Sequence, residues 1–283
     1  MNKVALDLGF VEIYWYSIFI LLGVFFAAIV VYYETKKQGM KTEEFTDLLF
    51  NTVVCGIVGA RLYYVIFNLS YYLDNKLEIL EIWHGGLAIH GGILAGVLYV
   101  IHFCRKRKYN TLKIIDMIVV GVIIGQAIGR WGNFFNQEAY GAATTLLNLR
   151  HDMVPEFIIK GMKILGQYHE PTFYYESLWN LDGFLILLLA RHNRKIKVGQ
   201  LTGIYFIWYS IGRIYIEYLR MDSLMIGNFK VAQIVSIILI IVGVILLFRH
   251  KITKKIELYH DINNMKTEEI DKYATFEAYK HEN

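Results

Sequence analysis

Six ionisable residues interrupt stretches that are otherwise apolar: Arg61, His90, Arg130, Glu176, Arg213 and Glu217. A charge inside a hydrocarbon layer costs about 2.5 to 3.5 kcal/mol on insertion scales, so such residues serve a function or neutralise one another. Tyr209, Arg213 and Glu217 are spaced by four, and Arg220 lies seven beyond Arg213. On a helix these four would line one face with a phenol, a guanidinium, a carboxylate and a second guanidinium. Two readings stand: an Arg213–Glu217 pair that only neutralises itself, or a site for an anion. The excess of guanidiniums over acids points to an anionic ligand. Arginine suits phosphate because its planar fork donates paired hydrogen bonds and stays charged when desolvated.

The segment IWHGGLAIHGGILAG, residues 82–96, contains two His-Gly-Gly units, at 84–86 and 90–92. Glycines there, Gly85 and Gly86 among them, would let a ligand headgroup approach the backbone. Zinc is the rival reading. His84 and His90 are six apart, about 120° in rotation on a regular helix, and no HExxH motif or cysteine cluster completes a ligand set, so no metal site is predicted. Cys55 and Cys104 both fall in apolar runs and are expected to be inert fillers. Gly92 and Gly96, and Gly121, Gly125 and Gly129, are spaced by four, which suits close helix packing.

The elements that must position these residues follow from composition. Of 283 residues 55% are hydrophobic and 15% aromatic, with a mean hydropathy of +0.38, which excludes an ordinary soluble domain. A bilayer core about 30 Å thick needs roughly 20 apolar residues of helix. Seven runs approach that length, at 17–33, 46–67, 87–104, 114–130, 173–190, 201–219 and 231–248. Counting flanking Lys and Arg, alternate connections hold sixteen on one side (36, 37, 41; 105–108 and 113; 191, 194, 195, 197; 249, 251, 254, 255) and seven on the other (3; 76; 150, 160, 163; 220, 230). By the positive-inside rule the N-terminus is outside and the C-terminus cytoplasmic. That orientation puts all six intramembrane ionisable residues in the outer half.

The predicted fold is therefore all-α, a polytopic membrane bundle of about seven transmembrane helices. Residues 1–248 form the transmembrane domain, with a small external head at 131–172 between the fourth and fifth helices. A charged cytoplasmic tail follows at 249–283, read as a solvated helix or disordered. No cleavable signal peptide is expected, because the first basic cluster follows the first apolar run. The net charge of +4 and pI near 8.8 report loop topology, and no nucleic-acid partner is expected. Asp116 is placed at an inner helix end as a solvated group, and Asp182 stands mid-span without an evident partner.

Four segments in this order, IWHGGLAIHGGILAG (82–96), GRWGNFFNQEAYG (129–141), PTFYYESLWN (171–180) and GRIYIEYLRMDS (212–223), resemble the motif set of prolipoprotein diacylglyceryl transferases. The resemblance spans about residues 14–248. It implies an enzyme of the bacterial cytoplasmic membrane, needing no cofactor, that moves the diacylglyceryl unit of phosphatidylglycerol onto the lipobox cysteine behind a prolipoprotein signal peptide. Glycerol 1-phosphate would leave. Carried over position by position, the family's important residues match Tyr16, Arg61, His90, Arg130, Asn133, Glu138, Tyr209, Arg213, Glu217 and Arg220. Glu170 stands where many members have histidine before the Pro-Thr-Phe, so His169 receives no role.

In that chemistry charge accumulates on the leaving phosphate, and Arg130 and Arg213 are the candidates to hold it. His90 is the first candidate for the base that takes the thiol proton, with Glu138 and Glu217 as alternatives. Arg61, Asn133, Tyr16, Tyr209, Arg220, Gly85 and Gly86 are expected at the phosphatidylglycerol. An organic-anion transporter would also use buried arginines, but around a midplane site between structural repeats that this sequence lacks. A non-catalytic lipid receptor would leave the candidate base and acids without a use.

Overall fold

Each of the seven apolar runs folds as a long helix. The computed structural model describes residues 2–9, 12–220, 225–227, 229–253 and 256–266. A hairpin of β1 (Val4–Asp7) and β2 (Glu12–Tyr14) leads into α1 (Trp15–Lys37), followed by α2 (Thr42–Phe67) and the short α3 (Leu69–Asp74). Two single 3-10 turns, Lys76–Leu80 and Ile82–His84, precede α4 (Ile89–Arg107) and α5 (Thr111–Asn136). A small mixed region of β3 (Ala143–Thr144), α6 (Leu146–His151), α7 (Glu156–Gly161), β4 (Lys163–Ile164) and β5 (Gln167–His169) separates α5 from α8 (Thr172–His192). Then come α9 (Gln200–Leu219) and α10 (Val231–Ile252). Four of these helices, α1, α2, α5 and α10, are long and apolar enough to cross a membrane. The other three, α4, α8 and α9, carry the polar residues that lower their hydropathy.

Contacts divide the described residues into two compact units, one formed by residues up to Glu34 with Ile115–His260, the other by Thr35–Ile114 with the residues from Asp261 on. In the first unit, small residues decide how closely helices approach. A Cβ on Gly23 would stand 2.8 Å from the Gly125 carbonyl, and one on Gly121 would stand 2.7 Å from that of Ala27, so α1 and α5 touch backbone to backbone. Gly203 of α9 and Gly243 of α10 stand in the same relation, since a Cβ on either would lie 2.8 Å from the other's carbonyl oxygen. Between α8 and α9 the indoles of Trp179 and Trp208 stack at 4.3 Å, and each Nε1 donates to the other residue's carbonyl at 2.9 Å. Gly183 and Gly212 leave the room that these two rings fill.

The region between α5 and α8 has its own apolar core of Phe134, Leu149, Val154, Ile158, Ile159, Met162 and Phe173, with Trp131 packed against it. Its three strands pair antiparallel in the order β3-β5-β4. Because Phe134 lies in the last turn of α5 and Phe173 in the first turn of α8, this core ties the region to both. Arg130 does not end its helix: α5 runs six residues further, to Asn136.

Two readings of polar residues are corrected. Asp116 is wholly buried: it accepts from the Gly199 and Thr202 backbone N–H groups at 2.5 and 2.8 Å and from the Thr202 hydroxyl at 2.5 Å. It caps the start of α9, where N–H groups have no partner within the helix and a negative charge suits the dipole. Spacing could not reveal a partner more than eighty residues away. The tail is not simply solvated over residues 256–266. Val198 N–H donates to Glu257 and Tyr259 N–H to Ile196, and the buried Tyr259 hydroxyl donates to Glu34 Oε1 at 2.8 Å. Burial, and then the Glu34 carboxylate, push the Tyr259 phenol up, so it remains a donor. Asp182 is exposed on the surface of α8.

In the second unit, α2 and α4 pack through Gly59 and Gly91 and through Gly56 and Gly92. The second His-Gly-Gly unit thus spends its glycines on helix packing. Lys113 is buried and donates to the Asp261 carbonyl at 2.5 Å, and Asn110 N–H donates to Met265.

Candidate active site

In the first unit α5, α8 and α9 bring together four charged side chains. Arg130 is six residues from the end of α5, Glu176 in the second turn of α8, and Arg213 and Glu217 occupy the last two turns of α9. Arg130 Nη2 lies 2.7 Å from Glu176 Oε1, Arg213 Nη1 lies 3.4 Å from Glu176 Oε2, and Arg213 Nη2 lies 2.7 Å from Glu217 Oε2. The i, i+4 spacing read from the sequence is the Arg213–Glu217 pair. The two 2.7 Å contacts are charge pairs whose N–H bonds do not point squarely at the oxygen, whereas the 3.4 Å contact is an aligned hydrogen bond. Glu176 is 4% exposed and Arg130 retains 22% of its side-chain surface, so the acid is sealed in while part of the arginine side chain stays accessible.

Glu176 was singled out in the sequence as an intramembrane acid but given no role. Its position between two arginines from different helices makes it the organiser of the cluster. Two arginines and two glutamates balance formally, so the excess positive charge expected from sequence is absent at this point. An incoming phosphate would have to share guanidinium donors with carboxylates. Tyr209 lies one turn before Arg213 and feels the charges of all four residues. Its ring stacks on Tyr205, whose hydroxyl donates to Gln126 Oε1 at 3.3 Å.

The GRWGNFFNQEAYG motif carries Arg130 and then turns off the end of α5. Asn133 and Asn136 both donate to Glu138 Oε1, at 2.9 and 3.3 Å, and Glu138 N–H returns a bond to the Asn133 carbonyl. Gln137 and Ala139, both at positive φ, flank Glu138 and turn the chain off the helix. Glu138 is exposed and accessible. Tyr16 lies within range of the Arg130 and Glu138 charges, with Gly132 against its ring. The motif's last residue, Gly141, forms a backbone bridge with Arg220, and a Cβ there would stand 2.7 Å from Glu170. Lys230, counted in the sequence only as a loop charge, donates to the Glu217 and Arg220 carbonyls at 2.5 and 3.2 Å and so closes the C-terminal end of α9.

The other expected site residues lie in the second unit. His90 is exposed in the first turn of α4, its ring 6.4 Å from that of Tyr63. Arg61 is buried, and all five of its N–H groups have acceptors: Nε meets the Ile79 carbonyl at 2.9 Å, Nη1 those of Gly85 and Gly86 at 2.8 and 3.0 Å, and Nη2 those of Glu78 and Glu81 at 2.5 and 3.4 Å. In this arrangement Arg61 binds backbone rather than an anion. Gly86, at φ 70°, must be glycine, since a Cβ would stand 2.5 Å from Arg61 Nη1. A cavity of about 450 Å³ opens beside it, lined among others by Tyr64, Tyr72 and Glu78. His84 lies in the turn before Gly85.

Comparison with known proteins agrees with the motifs. Residues 3–249 match the sequence model of the prolipoprotein diacylglyceryl transferase family. The chain is similar to a phosphatidylglycerol–prolipoprotein diacylglyceryl transferase of Streptococcus mutans, 46% identical over 248 residues, which cover 87% of this chain and 94% of the relative. It is similarly related to proteins of the same name from Listeria innocua, 44% over 252 residues and 89% and 91% of the two chains, and Staphylococcus xylosus, 41% over 263 residues and 93% and 94%.

Proposed function

The chain belongs to the prolipoprotein diacylglyceryl transferase family, and from this we propose how its residues divide the work of the reaction. The enzyme transfers the diacylglyceryl group of phosphatidylglycerol to a prolipoprotein, the first step of lipoprotein maturation. The acceptor is the thiol of the lipobox cysteine. Its S–H proton passes to a base, the thiolate sulfur attacks the glycerol carbon that carries the phosphate, and the C–O bond breaks with its electron pair going to oxygen. A thioether forms and glycerol 1-phosphate leaves.

The observation that carries this reading is the Arg130–Glu176–Arg213 arrangement. Glu176 holds two guanidiniums from different helices side by side, fixed before substrate arrives, where the leaving phosphate gains charge. Donors set in place beforehand lose little to reorganisation during reaction. Asn133 holds Glu138 at the rim, where Tyr16 and Tyr209 orient the lipid headgroup. Glu217 keeps Arg213 in register, and Arg220 sits at the mouth. His90 is the base in this proposal, with Glu138 and Glu217 as alternatives, while Arg61, Gly85 and Gly86 shape the segment leading to His90.

In this reading the chain crosses the cytoplasmic membrane seven times, N-terminus outside and tail in the cytoplasm, and the charge bias of its loops would put the cluster in the outer half. The deciding experiment incubates the purified protein with phosphatidylglycerol and a lipobox peptide. A thioether-linked diacylglyceryl peptide should form together with glycerol 1-phosphate, and a Cys→Ser peptide should give none. Formation of free diacylglycerol without peptide modification would overturn the transfer step. A reporter at the C-terminus should read cytoplasmic and one inserted within 150–163 external.

A further inference from the structure

The connection between α2 and α4 is rich in large apolar side chains that stand exposed. Leu77, Leu80 and Trp83 are 84%, 76% and 72% exposed, and Leu73, Ile82 and Leu87 are also exposed. Soluble surfaces rarely gather so many large apolar groups in so few residues. Nor is the segment a loose loop. Arg61 gathers its backbone through five hydrogen bonds to the carbonyls of Glu78, Ile79, Glu81, Gly85 and Gly86. Tyr72 is buried, with the Arg61 guanidinium 5.3 Å from its ring centre, and the Tyr71 hydroxyl donates to Glu78 at 2.7 Å. Backbone carbonyls are thus drawn inward, and the leucines and the indole are left outside.

We infer that residues 69–87 form an interfacial anchor, an Arg61-pinned platform whose Leu73, Leu77, Leu80 and Trp83 side chains enter the leaflet from which α2 emerges. The apolar surface is continuous with that of the flanking helices. Leu62, Ile66 and Phe67 are exposed at the end of α2, and Ile89, Ile93 and Leu94 at the start of α4. α2 is long and apolar enough to span the membrane, so its last turn and the segment after it lie at the bilayer boundary. Segments of this kind settle about 5–10 Å into the headgroup and upper acyl region, and tryptophan favours that depth. Asp74, Glu78 and Glu81 outnumber Lys76, so attraction to anionic lipid does not drive the contact. Apolar burial does, and a zwitterionic bilayer suffices. The inference rests on the membrane-spanning reading of α2 and not on the catalytic assignment, so an inactive enzyme would leave it standing.

The test places a bimane label at Leu77→Cys, Leu80→Cys or Asn75→Cys in a full-length protein carrying Cys55→Ala and Cys104→Ala. The protein is reconstituted in phosphatidylcholine vesicles brominated either near the carbonyl or near the terminal methyl of the acyl chains. Labels at 77 and 80 should lose emission to the shallow bromines more than to the deep ones, and should resist aqueous iodide. The label at 75 should be quenched by iodide. Trp83→Phe supplies a check without a label, removing a component of tryptophan emission that shallow bromines quench. Iodide quenching at 77 and 80 equal to that at 75 would overturn the inference. So would protection from both quenchers, which would mean that protein, and not lipid, covers the platform.

Discussion

Glu176 and Arg130 meet at 2.7 Å across two helices, the acid sealed and the base partly open. This asymmetry sets what each substitution should do. The acid fixes geometry, and the arginine has surface left with which to meet a ligand.

Replacing Arg130 by Lys keeps the charge but removes the planar fork. Loss of one preorganised donor costs about 10²–10³ in kcat, and an ammonium cannot restore paired bonds to phosphate. Arg130→Lys should therefore lose activity nearly as fully as Arg130→Ala, measured as thioether product from phosphatidylglycerol. Near-normal turnover in the lysine variant would reduce Arg130 to a diffuse positive charge.

Glu176→Gln keeps the shape of the side chain and removes the charge that separates two guanidiniums. Without it Arg130 and Arg213 repel and their spacing relaxes, and a misplacement of that order costs about 10²-fold in rate. The site also becomes more positive, so binding of anionic lipid should not weaken. Steady-state kinetics should show kcat falling with KM unchanged or lower. A raised KM at constant kcat would make Glu176 a substrate contact instead.

The role of His90 can be separated by pH. A thiol with a pKa of about 8.5 is mostly protonated at neutral pH and needs a proton acceptor. His90→Gln can still hydrogen-bond but cannot take the proton, so turnover should drop while lipid binding persists, and raising pH toward the thiol pKa should recover part of the rate. Weakened lipid binding with no recovery would assign His90 to the headgroup and direct the search for the base to Glu138 or Glu217.

Asp116→Ala should lower the thermal midpoint of the detergent-solubilised protein, since three donors of Gly199 and Thr202 lose their acceptor. A lost helix cap costs about 0.5–2 kcal/mol. Asp116→Asn, which keeps an acceptor oxygen, should cost less. Equal midpoints for all three proteins would remove the capping role.

Much of the helical architecture was legible because the apolar runs are long and bounded by basic clusters, and the four-residue step from Arg213 to Glu217 survives as a real ion pair. Arg61 shows where such reading stops. Its type and depth suit phosphate, yet its donors go to five carbonyls of a segment about twenty residues downstream, a partnership that leaves no periodic trace. Glu176 and Lys230 were visible as residues, but their value lies in which helix faces meet. Asp116 misled for the same reason: its place near a helix end is visible in the sequence, but its burial depends on α9. The tail misled differently, because its mixed composition hides the few residues that pack.

Tyr259 lies ten residues past the end of the family match at residue 249. A shortened protein designed on that boundary would delete the phenol that donates to Glu34, and with it the strand-like pairing of Glu257 and Tyr259 with the loop after α8. The ion pair of Glu34 with Arg191, 3.6 Å apart at the end of α1, would lose that neighbour. The folded enzyme therefore extends past its last apolar helix, and that hydroxyl is part of what holds it.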